Sequence, residues 1–275
     1  KGGHSGMDIN LGRGNSNKLL FRFLKTYAKD LGLRIANILG GSLRNAIPRE
    51  SFATVVLPAE NAEKLQAAVK EAEAIFQAEL SAKEPTLSVS AEATEMPSFV
   101  IDSCSQFRIT NAILACPNGP VRMIDSMPGT VETSNNLAIV QSKDGKIIVK
   151  SLLRSSVETA KDALAQSIRA VFELAEADEI NFEGGYPGWK PNPDSAILNE
   201  MQEIYEKMYG TRPAIMAIHA GLECGILGSK YPNWDMISFG PTLCSPHSPD
   251  ERVNIPSVVK FWDYLKETLK NIPMK

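Results

Sequence analysis

The chain has 275 residues, 43% hydrophobic and 22% charged, the balance of a globular protein able to bury a core and too apolar to stay disordered. Its 29 Lys and Arg against 32 Asp and Glu leave a net charge of -3, without the basic excess of a nucleic-acid binder. No apolar run approaches the roughly 18–20 residues that span a bilayer, and the length favours two domains.

The opening Lys1-Gly2-Gly3-His4-Ser5-Gly6 has no initiator Met and no signal-peptide pattern, and it reads as the interior of a strand or turn. A piece of a longer, cytoplasmic protein is expected. Residues 17–31 follow as an amphipathic helix, with Leu20, Phe23, Leu24 and Tyr27 on one face and Gly32 closing it. Residues 51–57 are rich in β-formers and end at Pro58, and 62–80 make a second helix with Leu65, Val69, Ala72, Ile75 and Phe76 at helical spacing. The alternation over 87–93 predicts a half-buried strand, and 99–115 a third helix.

Residues 137–141 and 146–153 read as a hairpin around Asp144-Gly145. Ser155 and Glu158 stand at capping-box spacing before a helix to Leu174, with Val157, Ala160, Leu164, Ile168 and Val171 inward. Residues 179–183 are a further candidate strand. This order of elements suits an α+β sandwich. The Gly- and Pro-rich stretch 184–193 then marks a crossing between domains, giving 1–184 and 185–275. Beyond it, Asp194 is expected to cap a helix to Tyr209, 214–218 and 236–239 are short apolar runs of the parallel-sheet kind, and 256–269 is a last helix with Val259, Trp262 and Leu265 inward. That portion is α/β in character and too short for a complete doubly wound domain.

The four cysteines, Cys104, Cys116, Cys224 and Cys244, form no CxxC pair and are expected to be reduced and mostly buried. The three histidines, His4, His219 and His247, all lie in Gly- or Pro-rich surroundings, where a backbone can approach a ligand closely. His247 has the best claim to a metal, because prolines flank it and Asp250-Glu251 follow as outer partners. One imidazole without a second ligand at motif spacing leaves a structural role equally open. Two readings stand for Arg154 as well, a bidentate fork for a carboxylate or an exposed arginine at a strand end. Asp235, Glu223 and Cys224 are weaker candidates.

Six stretches then carry a resemblance. Gly-Gly-His-Ser-Gly-Met-Asp-Ile, Gly-Arg-Gly-Asn-Ser-Asn-Lys and Gly-Gly-Ser-Leu-Arg-Asn-Ala-Ile-Pro-Arg-Glu come first. Tyr-Pro-Gly-Trp-Lys-Pro, Ile-His-Ala-Gly-Leu-Glu-Cys-Gly and Gly-Pro-Thr-Leu-Cys-Ser-Pro-His-Ser-Pro-Asp-Glu follow in the same order. Together they resemble the bacterial aminoacyl-histidine dipeptidase family, also called cytosol nonspecific or Xaa-His dipeptidases, of the zinc aminoacylase and glutamate carboxypeptidase superfamily. The likeness spans nearly the whole chain, and its last three motifs are specific.

The resemblance implies an α+β sandwich lid with ferredoxin-like elements, followed by the C-terminal part of a zinc-peptidase α/β domain. It implies a cytoplasmic homodimer that hydrolyses dipeptides, Xaa-His and broader, and that engages neither nucleic acid nor membrane. His247 matches a ligand of a two-zinc (Zn2+) centre whose remaining ligands, with a general-base Glu, belong upstream of Lys1, so this chain alone is expected to be inactive. His4 matches a lid histidine that stabilises the oxyanion, often across a dimer. Asn45 matches a lid asparagine that contacts substrate, Arg154 the clamp on the substrate's free carboxylate, and Gly221 a backbone N–H facing that carboxylate. The alternatives are a non-catalytic lid and dimerisation fragment, or a related amino-acid deacylase.

Overall fold

A computed structural model of the chain describes residues 1–190, 192, 194–216, 223–244 and 251–272. They fall into two compact units, one holding Lys1–Gly185 and the other the described residues from Tyr186 on. In chain order the first unit runs β1 (Gly3–His4), α1 (Ser16–Leu31), β2 (Arg34–Gly40), β3 (Ala46–Ile47), β4 (Ser51–Val56), α2 (Ala62–Leu80), α3 (Ser103–Ala115), β5 (Gly119–Met123), β6 (Val131–Lys143), β7 (Lys146–Ser155) and α4 (Glu158–Leu174).

Local chemistry sets the ends of these elements. Asn15 caps α1 by accepting the Lys18 N–H, and Gly32 closes it in the left-handed region at φ 66°. Lys18 reaches across to donate to the carbonyls of Ile113, Leu114 and Cys116, satisfying the orphan C-terminal acceptors of α3. Asp144 and Gly145 both take positive φ, 52° and 73°, which is the two-residue turn that matches strand twist between β6 and β7.

The five main strands form one antiparallel sheet. It runs β4-β2-β6-β5, with β7 along the other edge of β6. Register shifts at Ile35/Asn37 and at Leu137/Ile139 insert an extra residue, so Ile35 and Ile38, and likewise Leu137 and Val140, share one core with the helices. That core joins Phe21 and Leu24 of α1, Val69 and Phe76 of α2, Ile113 of α3, and Leu164 and Ile168 of α4. The expected α+β sandwich is the one found. Leu39 and its cross-strand partner Phe52 stand exposed on the opposite side. Toward the Val131 end, β1 pairs with β3, and Ile9, Ile47 and Val131 make a small second core.

Several expectations need correction. Residues 87–93 form no ladder, and 179–183 are irregular. The third helix begins at Ser103, capped by Asp102. The capping box fails because Ser155 ends β7, where its Oγ accepts the Val157 N–H and meets Thr133 Oγ1 at 2.8 Å. Of the cysteines, all free, Cys116 alone is buried, Cys224 is half-buried, and Cys104 and Cys244 are exposed. Strand β2 does not stand out in the sequence pattern, because its bulge breaks the alternation.

The second unit holds α5 (Ala196–Tyr209), α6 (Glu223–Lys230), β8 (Leu243–Cys244), β9 (Arg252–Val253) and α7 (Ile255–Asn271). Ser195, next to the expected Asp194, caps α5 by accepting the Leu198 N–H, and Gly210 ends it. Helix α7 turns Tyr264 and Thr268 inward and leaves Val259 and Trp262 exposed, contrary to the expected face. Tyr264 Oη donates to Met201 O at 2.6 Å, tying α7 to α5. Residues 214–216 and 236–239 form no ladder among the described residues, since a strand exists only through the neighbour it bonds. Antiparallel β8 and β9 are the strands described in this unit.

Candidate functional site

The first turn of the chain is built around His4. Gly2 and Gly3 take φ 67° and 155°, conformations that side chains resist, and a β-carbon on Gly3 would run into the Arg13 and Asp8 side chains. Asp8 Oδ2 accepts the His4 N–H at 2.8 Å while the Asp8 N–H returns to His4 O at 2.9 Å. Arg13 braces the turn, donating to Asp8 Oδ2 at 3.0 Å and to Gly2 O at 2.6 Å. Inside it, His4 Nδ1 accepts the N–H groups of Gly6 at 3.2 Å and Met7 at 3.1 Å. Both are obligate donors, so Nδ1 must present its lone pair. A neutral His4 therefore carries its proton on Nε2 and acts there as a hydrogen-bond donor.

Asn45 and Arg154 converge on the same turn. In the β1–β3 ladder His4 stands opposite Ala46, and the Ser5 N–H donates to Asn45 O at 2.8 Å. Arg154, on β7 opposite Ser134, donates from Nε to Ser5 Oγ at 3.3 Å. Gly6 stands close to both His4 and Arg154. A β-carbon there would stand 3.1 Å from His4 Cε1 and 3.6 Å from Arg154 Cζ. Asn45 itself is exposed, while His4 and Arg154 are half-buried. The turn thus gathers an imidazole, a guanidinium and an amide-bearing loop.

Gly221 and His247 lie outside the described residues, as does His219. Among the described residues no group of three His, Cys, Asp or Glu comes together that could hold a metal ion. They do not make up a zinc site. Asp235 is a cap on α5: its Oδ2 accepts the Ile197 N–H at 3.0 Å. Partial burial works against its charge, but bonds from Ser195 and from the backbone of Ile197, Ala196 and Met236 outweigh it and hold the carboxyl below its ordinary 3.8. Burial pushes the Cys116 thiol up to about 11, which makes it an inert core residue. No helix among the described residues is long and apolar enough to cross a membrane.

Residues 1–84 match the model of the peptidase dimerisation domain of M20 type. Over all 275 residues the chain is 40% identical to the cytosol non-specific dipeptidase of Escherichia coli (strain K12), covering 56% of that protein. It superposes on the crystal structure of aminoacylhistidine dipeptidase from Vibrio alginolyticus with a TM-score of 0.91 and 46% identity, over 100% of this chain and 56% of the other. The chain is a homologue of these dipeptidases. A more distant match, 25% identical over 126 residues, is the succinyl-diaminopimelate desuccinylase of Sulfurovum sp. (strain NBC37-1), covering 46% of this chain and 34% of that protein. The chain spans little more than half the length of the two dipeptidases.

Two quoted motifs hold His4 and Asn45, the resemblance adds Arg154, and in the fold Asn45 O and Arg154 Nε both bond Ser5, the residue after His4. Sequence reasoning missed Asp8, Arg13, Ser5 and Gly6, which hold the turn, and Asn136, which bonds the backbone on either side of Asn45. Their signal lies in two places. Ser5, Gly6 and Asp8 fall in the first quoted motif and Arg13 in the second, and Asn135-Asn136 closes the polar run that begins at Glu132, just ahead of the apolar residues 137–140 of β6.

Proposed function

We propose that this chain is the substrate-holding part of a metal-dependent dipeptide hydrolase acting on Xaa-His and other dipeptides. One observation carries the reading: a β-carbon on Gly6 would stand 3.1 Å from the His4 ring and 3.6 Å from Arg154 Cζ, while Asn45 O accepts the N–H of Ser5 in the same turn. In this reading the Arg154 guanidinium fork takes the free carboxylate of the dipeptide, helped by the Gly221 N–H. Asn45 contacts the peptide, and the Nε2–H of His4 meets the negative charge that develops on the scissile carbonyl oxygen. The hydrogen bonds at Nδ1 support that role, because they fix the tautomer and the ring plane before substrate arrives.

His247 is proposed as one ligand of a zinc centre whose other ligands come from outside this chain. With no such cluster among the described residues, the steps given to this chain are binding and charge stabilisation. Activity is accordingly proposed for the whole polypeptide, in the cytoplasm, with this chain alone inactive. A homodimer is proposed from the dimerisation-domain match at residues 1–84.

The test is Arg154→Ala in the full-length polypeptide, assayed on dipeptides with free and with amidated C-termini. A hydrogen bond to a charged group is worth enough that KM for free dipeptides should rise about tenfold or more, with a small change for the amides. If both substrate types suffer alike, the carboxylate assignment is wrong.

A further inference from the structure

Asn136 is 1% exposed and stands on β6 two residues from Ser134, the cross-strand partner of Arg154. Its side-chain amide donates to Arg44 O at 3.0 Å and to Ala46 O at 2.7 Å, one carbonyl on each side of Asn45. The carbonyl between them, on Asn45, accepts the Ser5 N–H at 2.8 Å, and Ser5 Oγ accepts Arg154 Nε. Residues 42–45 are exposed, so this loop has little packing of its own to fix it. Among the described residues, Asn136 Oδ1 has no hydrogen-bond partner. The fold therefore keeps a buried amide with one unmatched acceptor, a net cost, at a position where both donors are spent on the two peptides beside Asn45.

We infer that Asn136 is a positioning residue for substrate binding. It clamps the backbone either side of Asn45 and, through Ser5, sets the spacing between the Asn45 loop and the His4–Arg154 turn. Asn136 does not touch substrate. The functional half of the inference rests on the proposed role of Asn45, whereas the clamp itself does not.

The experiment uses the full-length polypeptide with Asn136→Ala, Asn45→Ala and the double variant, and reads amide hydrogen exchange beside dipeptide kinetics. Asn136→Ser, whose shorter donor keeps at most one of the two bonds, serves if Asn136→Ala does not fold. Loss of two buried bonds should speed exchange of the Ser5 N–H and of residues 44–47 about tenfold or more, leaving amides in the middle of α1 unchanged. KM should rise about tenfold with kcat changed less than about threefold, and Asn136→Ala should add little in the Asn45→Ala background. Unchanged exchange at Ser5 and 44–47 overturns the clamp whatever the kinetics do. Faster exchange with KM effects that simply multiply shows that Asn136 does not act through Asn45, and overturns the positioning role. Faster exchange with no KM effect from any of the variants upholds the clamp and removes Asn45 from the substrate site instead.

Discussion

Gly6 keeps an ordinary backbone conformation, unlike Gly2, Gly3 and Gly41, so alanine can adopt its φ without strain. What an added β-carbon meets is the His4 ring, 3.1 Å from Cε1 and 3.3 Å from Nδ1, with Arg154 Cζ 3.6 Å away. The first two distances are tighter than van der Waals contact, so the imidazole must give by a few tenths of an ångström. Gly6→Ala should leave the thermal midpoint nearly unchanged in the full-length polypeptide while lowering kcat/KM on the order of tenfold, because small misplacements of a catalytic donor, the role proposed for His4, are costly. Melting curves and steady-state kinetics on the same preparation check this. A drop in stability that matches the drop in activity would mean Gly6 serves packing. Motif residues were legible at this scale because their glycines and their single histidine stand out in the sequence. Asp8, Arg13 and Ser5 were not, since they act on backbone groups and on one another across the turn, which composition and spacing do not encode. Asn136 was hidden for another reason: a buried asparagine is recognisable only by what it bonds to 90 residues away.

Helix α2 shows why one extended segment is not a strand. Gln77 donates to Leu87 O at 2.8 Å, Glu73 accepts the Val89 N–H at 3.0 Å, and Gln66 donates to Ala91 O at 3.0 Å. Positions 66, 73 and 77 share one helix face, and the segment offers every second residue to it. Side chains of α2 thus stand in for the neighbouring strand, while Leu87, Val89 and Ala91 pack against the core. The period-2 pattern over 87–93 was real, but it reports an extended, half-buried backbone and says nothing of a ladder. Helices with clear apolar faces, α1 and α2, were legible to within a residue. Strands β2 and β5 were not, because bulges in their pairing disrupt the alternation that marks a strand. Glu73→Ala should therefore free the Val89 N–H and speed exchange over 87–91, with a stability loss of about 0.5–1.5 kcal/mol. Exchange there that stays as slow as before would show that apolar packing alone holds the segment.

At the scale of the whole chain, the groups proposed to act on substrate and those proposed to hold metal differ in kind. His4 is committed through Nδ1 to the backbone of its own turn, and no metal-ligating cluster forms among the described residues. The chain has three histidines, and its cysteines lack a CxxC pair. Catalytic zinc needs about three protein ligands and structural zinc about four, so a lone imidazole such as His247 binds it weakly. The 275-residue chain, purified and dialysed exhaustively, should accordingly retain well below one zinc, whereas the full-length polypeptide should retain its metal and lose much of it on His247→Ala. Metal analysis of the three samples decides the matter. Zinc near two per 275-residue chain would place a full ligand set within these residues, and the proposal that the centre is completed from outside would fail. Negligible zinc in the chain together with an unaffected His247→Ala polypeptide would keep the divided site but remove His247 from it.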